Sequence, residues 1–199
     1  MYAIVENKKV IETFNNPKKL IRNDVRYSTK IYSLLSVDEK KAIGLYEVEY
    51  DDTKKKDEEW YINTNQTIAY KTTGDKVVAS YGNATAKAIN DRNAIDENGI
   101  ELDPVQVIKG LKTIKKEMIN NQCAELLAPS DWRVVKAKET ETEMDSGWKT
   151  WRASVRSKCN SMQTQIDNAS DVDDLATLFT YTTTDGVTSR PLGEFPEKE

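Results

Sequence analysis

The chain has 199 residues, 38% of them hydrophobic and 31% charged, with a formal net charge of −4 and no histidine. A globule of this length buries roughly 70% of the surface its unfolded chain exposes, but a mean hydropathy of −0.69 leaves a thin apolar supply for that burial. Without histidine, Ser-His-Asp and Cys-His catalysis and His-containing zinc sites are excluded, and no GxxxxGK[ST] or GxGxxG pattern offers a phosphate cradle.

Acids and bases alternate along most of the chain. The local excess of Lys and Arg between Lys8 and Lys41 is broken by Glu12, Asp24, Asp38 and Glu39, so no basic stripe points to nucleic acid. The longest apolar run is far short of the ~20 residues of a membrane span, and Met1-Tyr2-Ala3-Ile4-Val5-Glu6-Asn7 lacks the regions of a signal peptide. Cys123 and Cys159 are too few for a disulfide scaffold. The expectation is a protein of the reducing cytoplasm, without cofactor or metal, whose partners are neither nucleic acid nor membrane.

In chain order, Tyr2-Ala3-Ile4-Val5 and Val10-Ile11-Glu12-Thr13-Phe14 read as strands joined by a turn at Glu6-Asn7-Lys8-Lys9. Ser36-Val37-Asp38-Glu39 is a capping box that opens a helix of about two turns, and Gly44 is its expected left-handed stop. Beyond it, Tyr46, Val48 and Tyr50 alternate with Leu45, Glu47 and Glu49, which predicts one apolar and one wet strand face. The charged stretch from Asp51 to Glu59 reads as an exposed loop. Trp60-Tyr61-Ile62 and Thr67-Ile68-Ala69-Tyr70 read as strands around Asn63-Thr64-Asn65-Gln66, and Gly74-Asp75 turns the chain into Val77-Val78-Ala79-Ser80-Tyr81.

The organisation expected is a β-rich domain over 1–82, a connector over 83–103 with a helical turn around Ala84 to Ala88, a helical module over 104–180 and a hairpin with polar tail over 181–199. Asp103 and Pro104 are placed to cap and open a helix reaching Leu127, with Val107, Ile108, Leu111, Ile114, Met118, Ile119, Cys123 and Leu126 on its apolar face and Gly110 weakening its middle. Pro129 ends that helix, Ser130 to Val135 follow as a turn, and 136–146 form a polar bridge. Trp148, Trp151, Val155, Cys159, Met162 and Ile166, spaced 3, 4, 4, 3 and 4 apart, mark the next helix, with Arg152, Arg156 and Lys158 elsewhere on its surface. Ser170 and Asp173 cap a last short helix carrying Leu175, Leu178 and Phe179, and Asp185-Gly186 centres a hairpin. The fold class is α+β.

Chemistry is weakly marked. Glu139, Glu141 and Glu143 spell a wet strand face or an irregular bridge; Asp171, Asp173 and Asp174 suit helix capping. The run from Asp91 to Gly99 has oxygen ligands but misses the EF-hand register and its closing Glu. Cys123 and Cys159 fit two buried thiols on helices packed antiparallel better than a redox pair, and Trp132 is expected to pack across those helices. A carboxylate-based glycan-active enzyme would need two acids about 5 to 9.5 Å apart in one cleft, and no pair stands out.

Leu126-Leu127-Ala128-Pro129-Ser130-Asp131-Trp132, followed after a spacer by Trp151-Arg152-Ala153-Ser154-Val155-Arg156, resembles a pattern in tail-fibre assembly chaperones and related tail proteins of tailed bacteriophages, in which an "LL…(S/T)DW" turn precedes a "(W/Y)R…(L/V/I)R" helix. The segments from Tyr2 to Val10, Lys41 to Tyr46 and Arg190 to Pro196 are similar to those of such proteins in marine phages. The chaperones close on a short Trp-Pro tail, whereas this chain runs on through a helix and a hairpin. The resemblance therefore implies a non-catalytic tail or tail-fibre component first and an assembly chaperone second. It places the chain in the host cytoplasm during assembly and then in the virion, with phage tail or tail-fibre proteins as partners and a homo-oligomer as a further arrangement. The residues it marks for partner binding or helix packing are Leu126, Leu127, Trp132, Trp148, Trp151, Arg152, Val155 and Arg156.

Overall fold

The computed structural model describes residues 1–64 and 66–198; Asn65, in the link after Ile62, and Glu199, at the end of the tail, lie outside the described residues. The architecture is α+β, and the chain divides into two compact units at Thr85/Ala86.

The first unit opens with β1 (Tyr2–Glu6) and β2 (Lys9–Phe14), paired antiparallel. Asn7 and Lys8 between them both take left-handed backbone, φ 49° and 62°, as a two-residue hairpin whose twist matches its strands requires. A small hairpin follows, β3 (Leu20–Arg22) with β4 (Val25–Tyr27). Helix α1 (Ile31–Leu34), a single turn without a sequence signature, buries Ile31 and Tyr32. The predicted capping box is present on α2 (Val37–Ala42): the Glu39 amide donates to Ser36 Oγ and the Ser36 amide to the Glu39 carboxylate. Gly44 stops the helix at φ 74°, and a Cβ there would lie 2.6 Å from the Val5 carbonyl oxygen, so the turn needs glycine twice over.

Strand β5 (Leu45–Asp51) then enters between β1 and β8 (Lys76–Ser80), antiparallel to the first and parallel to the second; β6 (Tyr61–Ile62) lies between in sequence, and β7 (Thr67–Lys71) closes the order β2-β1-β5-β8-β7. The two end strands approach each other, so the sheet is strongly curled. Its inner face gathers Ala3, Val5, Tyr46, Val48, Val77 and Ala79, and its outer face packs Ile4 and Leu45 on Leu20, Ile31 and Tyr32. The predicted alternation of β5 therefore needs correction at both ends. Leu45 is buried because α1 and the β3–β4 hairpin cover the face read as wet, and Tyr50 is 55% exposed.

At the boundary of the two units the predicted helical turn at 84–88 is replaced by the short strand β9 (Thr85–Ala86). Strand β10 (Arg92–Asn93) pairs with β11 (Val107–Ile108); farther along, the Leu102 amide donates to the Ala94 carbonyl and Ile95 bridges Glu101, so 92–108 form one β-arm. The helix expected from Pro104 begins only at Leu111. Val107 and Ile108 spend their backbone groups on β10, and Gly110 is the N-cap of α3 (Leu111–Leu127) rather than a mid-helix defect. The Gly110 amide donates to Asp91 Oδ1, 2.7 Å, and a Cβ at this position would meet the Asn90 carbonyl carbon at 2.3 Å.

Helix α3 runs through a 3-10 turn (Ala128–Ser130) directly into α4 (Asp131–Glu139), where a turn and a polar bridge were expected. Helix α5 (Ser146–Asn168) carries the predicted stripe, with Val155, Cys159, Met162 and Ile166 buried. Lys112 and Lys116 reach Asp167 at one end of the pair, and Leu127 meets Arg152 at the other, so α3 and α5 are antiparallel. On α3 the buried residues are Leu111, Lys115, Ile119 and Cys123; Ile114 and Leu126, expected in the stripe, are exposed. The two cysteines are free and buried, and burial with the neighbouring Cys159 thiol pushes Cys123 up. Asp171, one residue after the expected Ser170, caps α6 (Val172–Phe179) by accepting the Asp174 amide. The hairpin of β12 (Thr182–Thr184) and β13 (Val187–Ser189) follows as predicted. The polar tail is not loose: Leu192 is fully buried, and its amide donates to the Leu178 carbonyl.

One polar cluster ties the first unit's sheet together. Asp75 Oδ1 accepts both the Tyr46 hydroxyl, 2.9 Å, and the Tyr70 hydroxyl, 2.8 Å. Those bonds hold the Asp75 carboxyl below its usual range, while burial first and Asp75 second push the Tyr46 phenol up to about 12. The aspartate's contribution is therefore present at neutral pH and lost as pH falls through its depressed value; the tyrosine's is present below the ordinary phenol range and lost as pH rises toward 12. Asp75→Asn is expected to bring the Tyr46 titration down and to flatten the acid limb of unfolding. Absorbance at the phenolate band and circular dichroism against pH measure both, and an unmoved phenol titration would assign the effect to burial alone.

Candidate functional site

The residues singled out by sequence converge where α3 ends. A helix C-terminus leaves its last carbonyls without intrahelical partners, and here a side chain from α5 supplies one. Arg152 Nη1 donates to the Leu127 carbonyl, 2.8 Å, and to Ser130 Oγ; Nη2 donates to Asp131 Oδ1 at 2.5 Å. Ser130 Oγ in turn donates to the Leu127 carbonyl, 2.8 Å. Arg152 is 4% exposed and Ser130 1%, so an arginine outside the six-residue apolar stripe is buried as deeply as the stripe itself. Its position one residue after Trp151 and three before Val155 puts it at the margin of the apolar stripe, and the planar fork of a guanidinium suits three acceptors at one corner.

Trp151 is half-buried, and its indole Nε1 donates to the Pro196 carbonyl, 2.9 Å, so the tail is fastened to the same turn of α5. Trp148 packs edge-to-face on Trp151, centroids 5.6 Å apart at 89°. Trp132 does not bridge α3 and α5 as expected; at 53% exposure it stands on α4, where no residue is buried. The Arg133 guanidinium lies 4.6 Å from the Trp132 ring and 4.5 Å from the Trp148 ring, and Lys198 is 5.2 Å from Trp148. The result is a ladder of two indoles with a cation between them, worth about 0.5 to 2 kcal/mol per contact. Val134 and Val135 extend the exposed ledge at 45% and 54%. Below α4 a cavity of about 300 Å³ is lined by Val134, Ala137, Met144, Lys149, Arg152 and Arg156.

Of the marked residues, then, Leu127 and Arg152 form a clasp, Trp151 fastens the tail, Val155 is core, Trp132 and Trp148 form the ladder, Arg156 lines the cavity and Leu126 is 37% exposed. Sequence reasoning missed Ser130, Asp131 and Arg133. Their signal was the Ser-Asp pair after Pro129, which was read as part of a turn rather than as acceptors for a distant arginine.

Several carboxylates elsewhere are engaged in local structure. Where a carboxyl departs from its usual acidity it is pulled down, chiefly by hydrogen bonds: Glu39 from Ser36, Asp51 from Thr53, Asp75 from Tyr70, Asp91 from Gly110, Asp96 from Ile100 and Asp174 from Ser170. Of the expected strand-like glutamates, Glu139 ends α4 and Glu141 takes φ 51°, so they share no strand face. Among the described residues no group of three His, Cys, Asp or Glu is disposed to hold a metal ion, and no helix is long and apolar enough to cross a membrane. Comparison with family models, curated proteins and solved structures finds no match to this chain.

Arg152→Ala removes three charge-assisted hydrogen bonds from a buried corner and leaves the Leu127 carbonyl and the Ser130 hydroxyl only their bond to each other, and is expected to cost the second unit about 3 kcal/mol. Arg152→Lys keeps the charge but loses the fork, and should recover less than half of that. Urea unfolding followed by tryptophan fluorescence reads both; a Lys variant as stable as the parent would show that charge alone matters here.

Proposed function

We propose that this protein is a non-catalytic tail or tail-fibre component of a tailed bacteriophage, acting by protein–protein contact. The observation that carries this is the use to which the family-like motif is put. Its Leu127, Ser130, Asp131 and Arg152 meet in one clasp at the start of α4, on which Trp132, Val134 and Val135 are turned to solvent. A helix without a buried residue has no core of its own to satisfy. Aromatic and aliphatic side chains beside arginine are the composition of an interface centre.

The carboxylates bonded into caps, turns and sheet support a role without acid–base chemistry, as does the lack of histidine. In this reading the chain works in the host cytoplasm during assembly, remains in the virion, and binds neither nucleic acid nor membrane.

Trp132→Ala combined with Val135→Asp should abolish capture of the tail partner while lowering the melting temperature by no more than about 8 °C, the loss of the Trp132–Arg133 contact at an exposed position. Quantitative mass spectrometry of purified particles separates the two roles. Stoichiometric copies are expected; absence from particles together with co-purification with the fibre protein's C-terminal region would instead identify an assembly chaperone. Binding retained by the double variant would remove the ledge from either role.

A further inference from the structure

Helices α3 and α5 run antiparallel, and the contacts between them fix which residues share a level. Lys116 meets Asp167, Asn120 meets Cys159 and Gln163, and the Leu127 carbonyl meets Arg152. Cys123 stands one turn after Asn120 on the same face of α3, so this register puts it opposite Cys159. The two thiols are free and hydrogen-bonded to each other, and they are the only cysteines of the chain.

Their surroundings favour chemistry at the sulfurs. Cys159 Sγ donates to Asn120 Oδ1, 3.5 Å, and accepts the Gln163 side-chain amide, 3.3 Å, which also donates to Asn120 Oδ1, 2.8 Å. A thiolate on Cys159 would keep the Gln163 donor and gain from it. Asn120 is exposed and Gln163 half-buried, so the pair lies just under the rim of the seam, with Cys123 at 8% and Cys159 at 4% exposure. Arg156, one turn before Cys159, favours the anion of Cys123, although burial outweighs it and holds that thiol up.

We propose that Cys123 and Cys159 form a dithiol site that a peroxide closes into a disulfide across the α3–α5 seam. The Cys123 thiolate, the more exposed sulfur, attacks one oxygen of hydrogen peroxide. The O–O bond breaks, hydroxide leaves and takes up the thiol's proton as water, and Cys123 carries a sulfenic acid. Cys159 then attacks that sulfur, the S–O bond breaks, and the departing hydroxide takes the Cys159 proton as a second water. Two thiols and one peroxide thus become one disulfide and two waters. Closing the bond draws two sulfurs already in contact to the ~2.05 Å of an S–S bond. Burial makes the first step slow at neutral pH, so the pair acts as a staple set by sustained exposure to oxidant. The loop it closes holds the Arg152 clasp and the whole of α4. The site uses other residues than the α4 ledge and holds whether or not the tail reading does.

Treating the folded full chain with hydrogen peroxide tests it. Thiols titrated under denaturing conditions should fall from two to none. Peptide mapping should find the segments holding Cys123 and Cys159 joined and lighter by two hydrogens, and dithiothreitol should restore both thiols. Thermal unfolding is compared before and after dithiothreitol, which leaves any methionine sulfoxide in place. The linked form should melt about 5 °C or more above the reduced one, because the closed loop lowers the entropy of the unfolded chain. Cys123→Ala and Cys159→Ala should each end with one cysteine heavier by oxygen and no rise in the midpoint. A chain that oxidises its methionines yet keeps both thiols, that links only between copies, or whose linked form melts no higher than the reduced one would overturn the proposal.

Discussion

Moving a guanidinium out of water costs several kcal/mol, and the cost is met only when its donors find acceptors in good geometry. Arg152 finds three in five residues of chain: the Leu127 carbonyl left over at the end of α3, the Ser130 hydroxyl and the Asp131 carboxylate. An aliphatic residue at this position would fill the space but supply no donor, leaving the Leu127 carbonyl and the Ser130 hydroxyl only their bond to each other. The clasp therefore does what packing cannot: it closes a helix end and steers the chain through a 3-10 turn at the same time. Helix α4 can then leave the bundle without burying any residue, and the path of Trp132 and Arg133 is set from 20 residues away in sequence.

That distance explains which parts of the fold were legible beforehand. The capping box of α2 and the stripe of α5 rest on partners within a turn or two, so spacing alone announces them. The α+β class follows from the same local signals. Helix α4 was hidden because Pro129 reads as a terminator, and the group that overrides it lies on another helix. Arg152 is marked for helix packing or partner binding by the family-like motif, but its three acceptors lie beyond α5, so spacing within that helix does not announce them. Val107 and Ile108 failed in the opposite sense: their periodicity fits α3, but β10 claims their backbone and their side chains face water.

The two units manage a scarce apolar supply differently. In the first, one curled sheet serves two cores, since β1 and β5 direct alternate residues to a lined interior and to the α1 side. Polar groups finish the job: Asp75 joins two tyrosines of different strands, and Lys40, only 8% exposed, reaches Glu47. In the second unit the α3–α5 seam takes Ile119, Val155, Met162 and Ile166. The aliphatics of the arm and of α4 remain outside it.

Leaving so many aliphatics in water is unfavourable by about 25 cal/mol for each Å², and a hydrophilic chain has few to spare. The ledge and the arm also differ in how they are held. The ledge stands on a buried ionic clasp and a ladder of stacked rings, which fix side-chain positions before any partner arrives and so reduce the ordering cost of binding. The arm rests on backbone hydrogen bonds in a narrow ribbon, the kind of element that opens and adjusts at low energy. A rigid face suits recognition of one defined surface, whereas a compliant ribbon adjusts its shape to what it meets.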